Sequence, residues 1–201
     1  MLLNSPFESQ DVKSLNADIV IMATGSQPDG KAFQRALPEH DALPGIDRGN
    51  VWSAEDVMGW AARLGHTVIV LDETSNWKGG GTALLLAEAG HAVVVVTGAP
   101  NVMSEMARTN ADVQLRARLR QLGVRIFTET VMLEWQGEGA TIQTSGALSQ
   151  QIAADSLVVA ATNIAEHSLA DELGAPTIGD ATAARNAAMA IYEGRKRAME
   201  I

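Results

Sequence analysis

The sequence predicts an α/β fold with a parallel sheet, helices on both faces and an inserted antiparallel β-meander. Two apolar, β-branched runs, ADIVIMATG (residues 17–25) and ADSLVVAAT (residues 154–162), end in small residues. Such runs are typical of strands buried on both faces of a parallel sheet. Residues 67–98 have the pattern of a strand, a helix and a second strand, and residues 124–162 alternate with a period near two. The two similar apolar runs indicate two related nucleotide-type units in one chain.

The segment after the first run is not expected to join the sheet. Residues 26–50 contain three prolines and several glycines, which predict a crossing segment. A helix is then expected to begin at Ser53, a residue type that favours the N-cap. Glu55 and Asp56 follow in the first turn, where the helix dipole favours acids. We expect this helix to end at Gly65.

The central part of the chain predicts a βαβ unit. Residues 67–71 form its first strand, residues 80–89 its helix and residues 92–97 its second strand. This spacing permits the right-handed crossover that parallel strands require. Residues 111–122 are amphipathic and predict a further helix.

The last third of the chain predicts first sheet and then helix. Glycine-containing turns at 137–139 and 145–146 divide the alternating region into an antiparallel meander that leads into the second apolar run. After it we expect a short strand, a Gly-Asp turn and a long Ala-rich helix. Asp180 is expected at or beside the N-cap of this helix, where a carboxylate accepts backbone N–H bonds and free amides can meet a phosphate.

Composition argues against several classes of function. The net charge of -9 disfavours a nucleic-acid partner. The absence of cysteine excludes disulfides, thiolate catalysis and a cysteine-ligated iron–sulfur cluster on this chain. The four histidines lack metal-ligand spacing, so no metal site is expected. The longest apolar runs are too short for a membrane helix. We therefore expect a soluble, cytoplasmic protein.

The central βαβ unit departs from a Rossmann dinucleotide site. Such a site needs a glycine directly after the first strand and an acid at the end of the second. Here Asp72 and Glu73 follow the first strand, where two carboxylates would repel a pyrophosphate, and the second strand ends in Thr97 and Gly98. Two interpretations stay open: a structural relic or interaction surface, and a nicotinamide or adenine nucleotide bound in an altered way.

Candidate residues for an altered site lie at the start of the central helix. Gly79, Gly80 and Gly81 would let the helix approach the sheet, and Trp77 would cover the crevice. If NAD(P)H binds, Arg108 is the nearest basic candidate for a 2′-phosphate. The sequence shows no nucleophile elbow, catalytic triad or phosphate-loop lysine, so we nominate no catalytic residue.

Several motifs span nearly the whole chain in a fixed order. They are ADIVIMATGSQP (17–28), DETSNWKGGG (72–81), GHAVVVVTG (90–98), LGVRIFTET (122–130), ADSLVVAAT (154–162) and IGDATAARNAAMAIYEGRKRAMEI (178–201). In this order they resemble the C-terminal half of flavoproteins related to trimethylamine dehydrogenase, dienoyl-CoA reductase and old-yellow-enzyme-like amine demethylases. The resemblance implies a Rossmann-like fold of the two-dinucleotide-binding-domain flavoprotein type.

The resemblance also implies a division of the chain. Residues 1–52 and 175–201 would form a partial FAD- or ADP-binding domain, and residues 53–174 an inserted NAD(P)-binding-like domain. Relatives of this kind carry FMN and an iron–sulfur cluster on an N-terminal TIM barrel, which this sequence lacks. Its partners would be the rest of the flavoprotein polypeptide or a partner subunit, and an electron-acceptor protein.

The resemblance assigns cofactor-binding residues by position. The small residues that end the first run would let an adenine nucleotide approach the backbone, and the Gly-Asp motif and the arginine after it would contact the flavin nucleotide. The preceding proline of that family is Ala184 here. The residues are Ala23, Thr24, Gly25, Gly179, Asp180, Ala181 and Arg185.

Two functions follow from these observations. The first is the nucleotide-binding part of a flavin-dependent oxidoreductase, an NADH:flavin oxidoreductase or an amine dehydrogenase. The second is a non-catalytic Rossmann-like scaffold that serves domain packing or assembly and has lost nucleotide binding.

Overall fold

A computed structural model describes residues 5–201 of the protein. The helices are α1 (Ser9–Ser14), α2 (Ala54–Met58), α3 (Trp77–Glu88), α4 (Ala111–Gln121), α5 (Ser168–Leu173) and α6 (Ala187–Ala198). The strands are β1 (Ser26–Gln27), β2 (Val51–Ser53), β3 (Thr67–Asp72), β4 (Ala92–Val96), β5 (Arg125–Phe127), β6 (Thr130–Trp135), β7 (Gly139–Thr144), β8 (Gln150–Ala153), β9 (Ser156–Ala160) and β10 (Ile164–Ala165).

Two compact units divide the chain. The outer unit comprises Met1–Gln27 and Asn163–Ile201, and the inner unit comprises Pro28–Thr162. These boundaries differ from the predicted ones, which lie at 52/53 and 174/175. The crossing segment from Pro28 onward therefore packs with the inner unit.

The inner unit is built on a five-stranded parallel sheet with the order β2-β9-β3-β4-β5. The central strand β3 pairs with β4 on one side and with β9 on the other. Residues 68–71 of β3 are fully buried, which is why their sequence is a continuous apolar run rather than an alternating one. The structure confirms the predicted βαβ unit, with β3, α3 and β4 as its elements.

Different layers cover the two faces of this sheet. Side chains of α2, α3 and α4 pack with Val68 and Val70 on one face. On the other face Ile69 and Leu71 pack with the meander β6-β7-β8, including the fully buried Trp135. The mixed α/β fold and the inserted meander are confirmed, and in the inner unit the meander covers the face opposite the helices.

Capping residues set the helix boundaries. Ser53 caps α2 through a reciprocal pair of bonds with Asp56, as the predicted start at Ser53 requires. This helix ends at Met58, so the predicted end at Gly65 was wrong. Helix α3 begins at Trp77 because the Asn76 side chain accepts a bond from Lys78 N. It therefore starts three residues before the predicted position.

The first apolar run does not form a regular strand, and this prediction was wrong. Met22 makes an isolated parallel bridge to Thr177, and β1 follows as a two-residue strand paired with β10. Ile19 is half exposed. Among the described residues, that single bridge is the only parallel pairing of residues 17–25, and a parallel strand needs neighbours along its length to be regular.

The C-terminal helix also begins later than predicted. Asn186 caps α6 by accepting a bond from Met189 N, whereas Asp180 lies in a short 3-10 turn, Gly179–Ala181. The prediction of Asp180 at the cap of the long helix was therefore wrong. No helix within residues 5–201 is long and apolar enough to span a membrane.

Candidate functional site

Two segments of the outer unit that end in small residues lie side by side. We call residues 23–25 the first tip and residues 179–181 the second tip. Met22 N donates to Pro176 O at 2.9 Å, and Ile178 N donates to Met22 O at 3.0 Å. These two bonds and the parallel bridge align the segment that ends at Gly25 with the segment that ends at Gly179. The structure thus brings together the two motifs that the sequence assigned to one nucleotide site.

The first tip is exposed and its conformation requires glycine. Ala23 and Thr24 are exposed, and Gly25 has φ +80, a backbone conformation that other residues rarely adopt. A Cβ at Gly25 would meet no described atom within 4 Å, so the space beside it is open. The tip is held by Glu166, whose backbone N donates to Gly25 O at 2.9 Å and whose carbonyl oxygen accepts from the Thr24 hydroxyl.

The second tip is a tight turn rather than a helix N-cap. Gly179 has φ +65 and is buried against Ala190 of α6. Asp180 is partly buried and accepts a bond from Arg185 N at 3.2 Å. Ala181 is buried. The carboxylate of Asp180 therefore shapes the loop that leads from the turn to α6.

Glu193 accepts hydrogen bonds from two donors at or near the second tip. Its carboxylate accepts from Gly179 N at 2.8 Å and from the Arg185 guanidinium at 2.5 Å. Both bonds lower the pKa of Glu193, with the Arg185 bond as the larger cause. Arg185 thus braces α6 against the Gly179 turn, and a phosphate at this position would have to compete with Glu193.

The sequence motifs did not indicate Glu166 or Glu193. Hydrogen bonds from the Ser168 hydroxyl and backbone lower the pKa of Glu166, and its carboxylate also accepts from Gln27 at 3.1 Å. Glu193 lies one helical turn beyond Ala190, on the face of α6 that meets Gly179. That spacing is the one sequence signal that could have indicated Glu193; for Glu166 we find none.

The inner unit has a second candidate site at the carboxyl ends of β3 and β4. Asp72 ends β3 and is fully buried. Its Oδ1 accepts from Thr74 N at 3.0 Å, from the Thr74 hydroxyl at 2.9 Å and from Ser75 N at 2.9 Å. Burial raises the pKa of Asp72, and these bonds oppose the rise.

The three glycines of α3 have different neighbours. A Cβ at Gly79 would overlap the Asp72 carboxyl group, whose Oδ2 would be 2.6 Å away. A Cβ at Gly80 would be 2.5 Å from Cγ of Met103, whereas one at Gly81 would be 3.7 Å from the Trp77 ring. Gly79 therefore has the predicted role of close packing against the end of β3. Gly80 instead packs on Met103, outside the sheet, and Gly81 has no such close contact.

A small cavity of about 210 Å³ lies at this end of the sheet. Arg35, from the crossing segment, donates through its guanidinium to Glu73 O at 2.5 Å and through its backbone N to the Glu73 carboxylate at 3.2 Å. Burial raises the pKa of Glu73. Trp77 is half exposed and does not line this cavity, and Arg108 is exposed on a 3-10 helix, Ser104–Thr109.

Comparison with known proteins gives the wider context. Residues 5–191 match the family described as pyridine nucleotide-disulphide oxidoreductase. The cinnamate reductase of Clostridium sporogenes is 29% identical over 99% of this chain and 29% of its own length.

Solved structures with high similarity are also oxidoreductases by name. The 6-hydroxypseudooxynicotine amine oxidase of Pseudomonas geniculata N1 superposes with a TM-score of 0.91 at 29% identity, over 98% of this chain and 31% of its own. The histamine dehydrogenase of Rhizobium sp. 4-9 has a TM-score of 0.91 at 25% identity, over 98% and 33%. The chain spans about a third of the length of these relatives.

The family match includes both tips of the outer unit and the whole of the inner unit. The relatives confirm the resemblance that the ordered motifs indicated, and they support nucleotide binding of the FAD or NAD(P) type. The chain therefore belongs to the pyridine nucleotide-disulphide oxidoreductase family, as a nucleotide-binding region of the trimethylamine dehydrogenase and dienoyl-CoA reductase type.

Proposed function

We propose that the outer unit of this chain contributes an adenine-nucleotide site, for FAD or ADP, to a larger flavin-dependent oxidoreductase. The observation that carries the proposal is the alignment of the two tips by the Met22–Thr177 bridge. It places two positive-φ glycines, Gly25 and Gly179, at the ends of neighbouring segments, where a nucleotide can approach the main chain.

The residues of the outer unit fit such a ligand. The first tip carries small, exposed side chains, and the space beside Gly25 is open. Arg185 is the nearby cation, and it would meet a phosphate only by leaving Glu193. The residues of this chain bind and orient the nucleotide, while the bound flavin supplies the redox chemistry.

The whole enzyme would pass electrons between a substrate and either NAD(P)H or an acceptor protein. Its FMN and iron–sulfur cluster would lie on a barrel outside this chain, because the chain has no cysteine to ligate a cluster. The partner of this chain would be the rest of that polypeptide or a separate subunit. A cytoplasmic location is part of this proposal, because a chain without cysteine fits a reducing compartment.

Calorimetric titration of the full chain with ADP tests this proposal. Ala23→Asp adds a negative charge at the exposed first tip, and we expect it to weaken ADP binding about fivefold or more by repelling phosphate. Ala147→Asp is the matched control, because Ala147 is exposed on a turn of the inner unit. It should leave the affinity within about twofold.

Binding near or below micromolar that Ala23→Asp selectively weakens supports the nucleotide site. If the wild-type chain binds none of ADP, FAD, NADH and NADPH, the chain serves as a scaffold instead.

A further inference from the structure

The connection from β3 to α3 holds a side chain where a dinucleotide site holds a ligand. In a Rossmann unit the pyrophosphate lies between the end of the first strand and the N-terminus of the helix that follows. Here the Asp72 carboxyl group lies in that gap and packs directly on Gly79, in the first turn of α3. The carboxyl group fills the space because Gly79 has no side chain.

Several donors around this gap already have partners within the protein. Thr74 and Ser75 donate three bonds to Asp72 Oδ1. Lys78 N donates to the Asn76 side chain at 2.8 Å. These are the kinds of backbone donors that a pyrophosphate would use at a helix N-terminus.

The cation at the start of α3 is also engaged. Lys78 Nζ donates to Ala161 O at 2.7 Å and forms an ion pair with Glu55 at 2.8 Å. These contacts tie α3 to α2 and to the end of β9. Lys78 is thus used to hold elements of the inner unit together.

Space and charge around the gap also oppose a dinucleotide. The cavity beside it has a volume of about 210 Å³, below the roughly 300–1,000 Å³ that ligand pockets span. Its lining includes Asp72, Glu73 and Thr97, whose hydroxyl accepts from Ala99 N. An NAD site has an acid at the end of the second strand for the ribose hydroxyls, and β4 is followed by Thr97. A nicotinamide dinucleotide does not fit here.

We infer that the Asp72 carboxyl group takes the place of a coenzyme pyrophosphate at the start of α3, so that the inner unit keeps the βαβ fold without binding NADH or NADPH there. This inference concerns the inner unit alone. It goes beyond the nucleotide site proposed for the outer unit and does not depend on it.

A double-mutant cycle on the full chain tests the packing of Asp72 on Gly79. Gly79→Ala should lower the folding equilibrium constant about tenfold or more, because the new methyl group overlaps the carboxyl group. In an Asp72→Ala background, the factor by which Gly79→Ala lowers the folding equilibrium constant should be smaller by about fivefold or more. Gly81→Ala is the matched control, and it should be neutral or stabilising by up to about fivefold, since Ala favours helix.

Amide NMR of the ¹⁵N-labelled wild-type chain tests whether a nicotinamide coenzyme binds at the start of α3. Addition of NADH or NADPH should leave the amides of residues 74–81 unshifted. Saturable shifts at these amides would overturn the inference, as would equal costs of Gly79→Ala with and without Asp72. Shifts at residues 23–25 and 179–181 on addition of ADP report only on the outer unit, so failure of one proposal is distinguishable from failure of the other.

Discussion

Asp72 and Glu73 are neighbouring carboxyl groups with different partners. Asp72 accepts bonds from the loop that follows it, and its Oδ2 is buried without a hydrogen-bond partner among the described residues. Glu73 holds the crossing segment through Arg35. Burial is the largest cause of the raised pKa of both groups. Each is therefore held in a site that favours its neutral form.

This burial predicts a pH-dependent stability. With a raised pKa, folded Asp72 keeps a proton that the unfolded chain releases, so the free energy of unfolding falls as pH rises from about 3.9 to the folded pKa. Asp72→Asn removes this titration. The free energy of unfolding of the variant minus that of the wild type should therefore rise with pH above about 4.

Urea denaturation across that pH range measures this difference. The charge of Asp72 also raises the pKa of Glu73, so Asp72→Asn removes that part of the Glu73 shift as well. Both changes make the difference rise with pH. A difference that stays flat, or falls as pH rises, would show that the folded pKa of Asp72 is not raised.

At the residue scale the sequence predicted the properties of individual residues better than the contacts between them. It identified Asp72 and Glu73 as unfavourable to a pyrophosphate, and it gave a packing role to Gly79, Gly80 and Gly81, of which Gly79 packs against the end of β3. It could not show that Gly79 meets the Asp72 carboxyl group, because that contact depends on how closely α3 approaches β3. The engagement of Arg185 by Glu193 was hidden for the same reason, since a turn outside the helix brings them together.

At the element scale one buried side chain, Gln34, bonds the crossing segment to the meander. Gln34 donates to Met132 O at 2.7 Å and accepts from Met132 N at 2.8 Å. Both residues are buried, and Met132 lies in β6. Gln34 thus satisfies two buried backbone groups of the meander that would otherwise lack partners.

Loss of these two bonds should be costly. Gln34→Ala leaves the N–H and C=O of Met132 unpaired, and we expect a loss of about 2 kcal/mol or more in the free energy of unfolding. Gln143→Ala is the matched control, because the Gln143 side chain is exposed and donates to Ala147 O on a neighbouring turn. It should change stability by less than about 0.5 kcal/mol. Equal losses in the two variants, measured by chemical denaturation, would contradict this account of Gln34.

Element prediction succeeded where periodicity and burial agree. The parallel strands β3, β4 and β9 and the meander were identified because continuous apolar runs and period-two alternation mark them. The run at 17–25 is apolar like β9 but lacks its neighbours, so its pairing could not be inferred from its own residues. The end of α2 was missed because Gly59 and Gly65 are both candidate stop signals, and the local sequence does not distinguish between them.

At the scale of the whole molecule the two units differ in how much they bury. The inner unit contains two extensive apolar clusters, one on each face of the parallel sheet. In the outer unit, α1 and α6 contain no buried residue. We therefore expect amide hydrogen exchange to be slowest in β3, β4 and β9 and fast in α1 and α6. The outer unit thus has the greater capacity to gain protection from a ligand.

Hydrogen exchange of the full chain with and without ADP tests the central claim most directly. If the outer unit carries the nucleotide site and Asp72 closes the inner one, ADP should slow exchange in residues 22–25 and 177–181 and leave residues 72–81 unchanged. Protection of residues 72–81 without protection of the two tips would contradict the account.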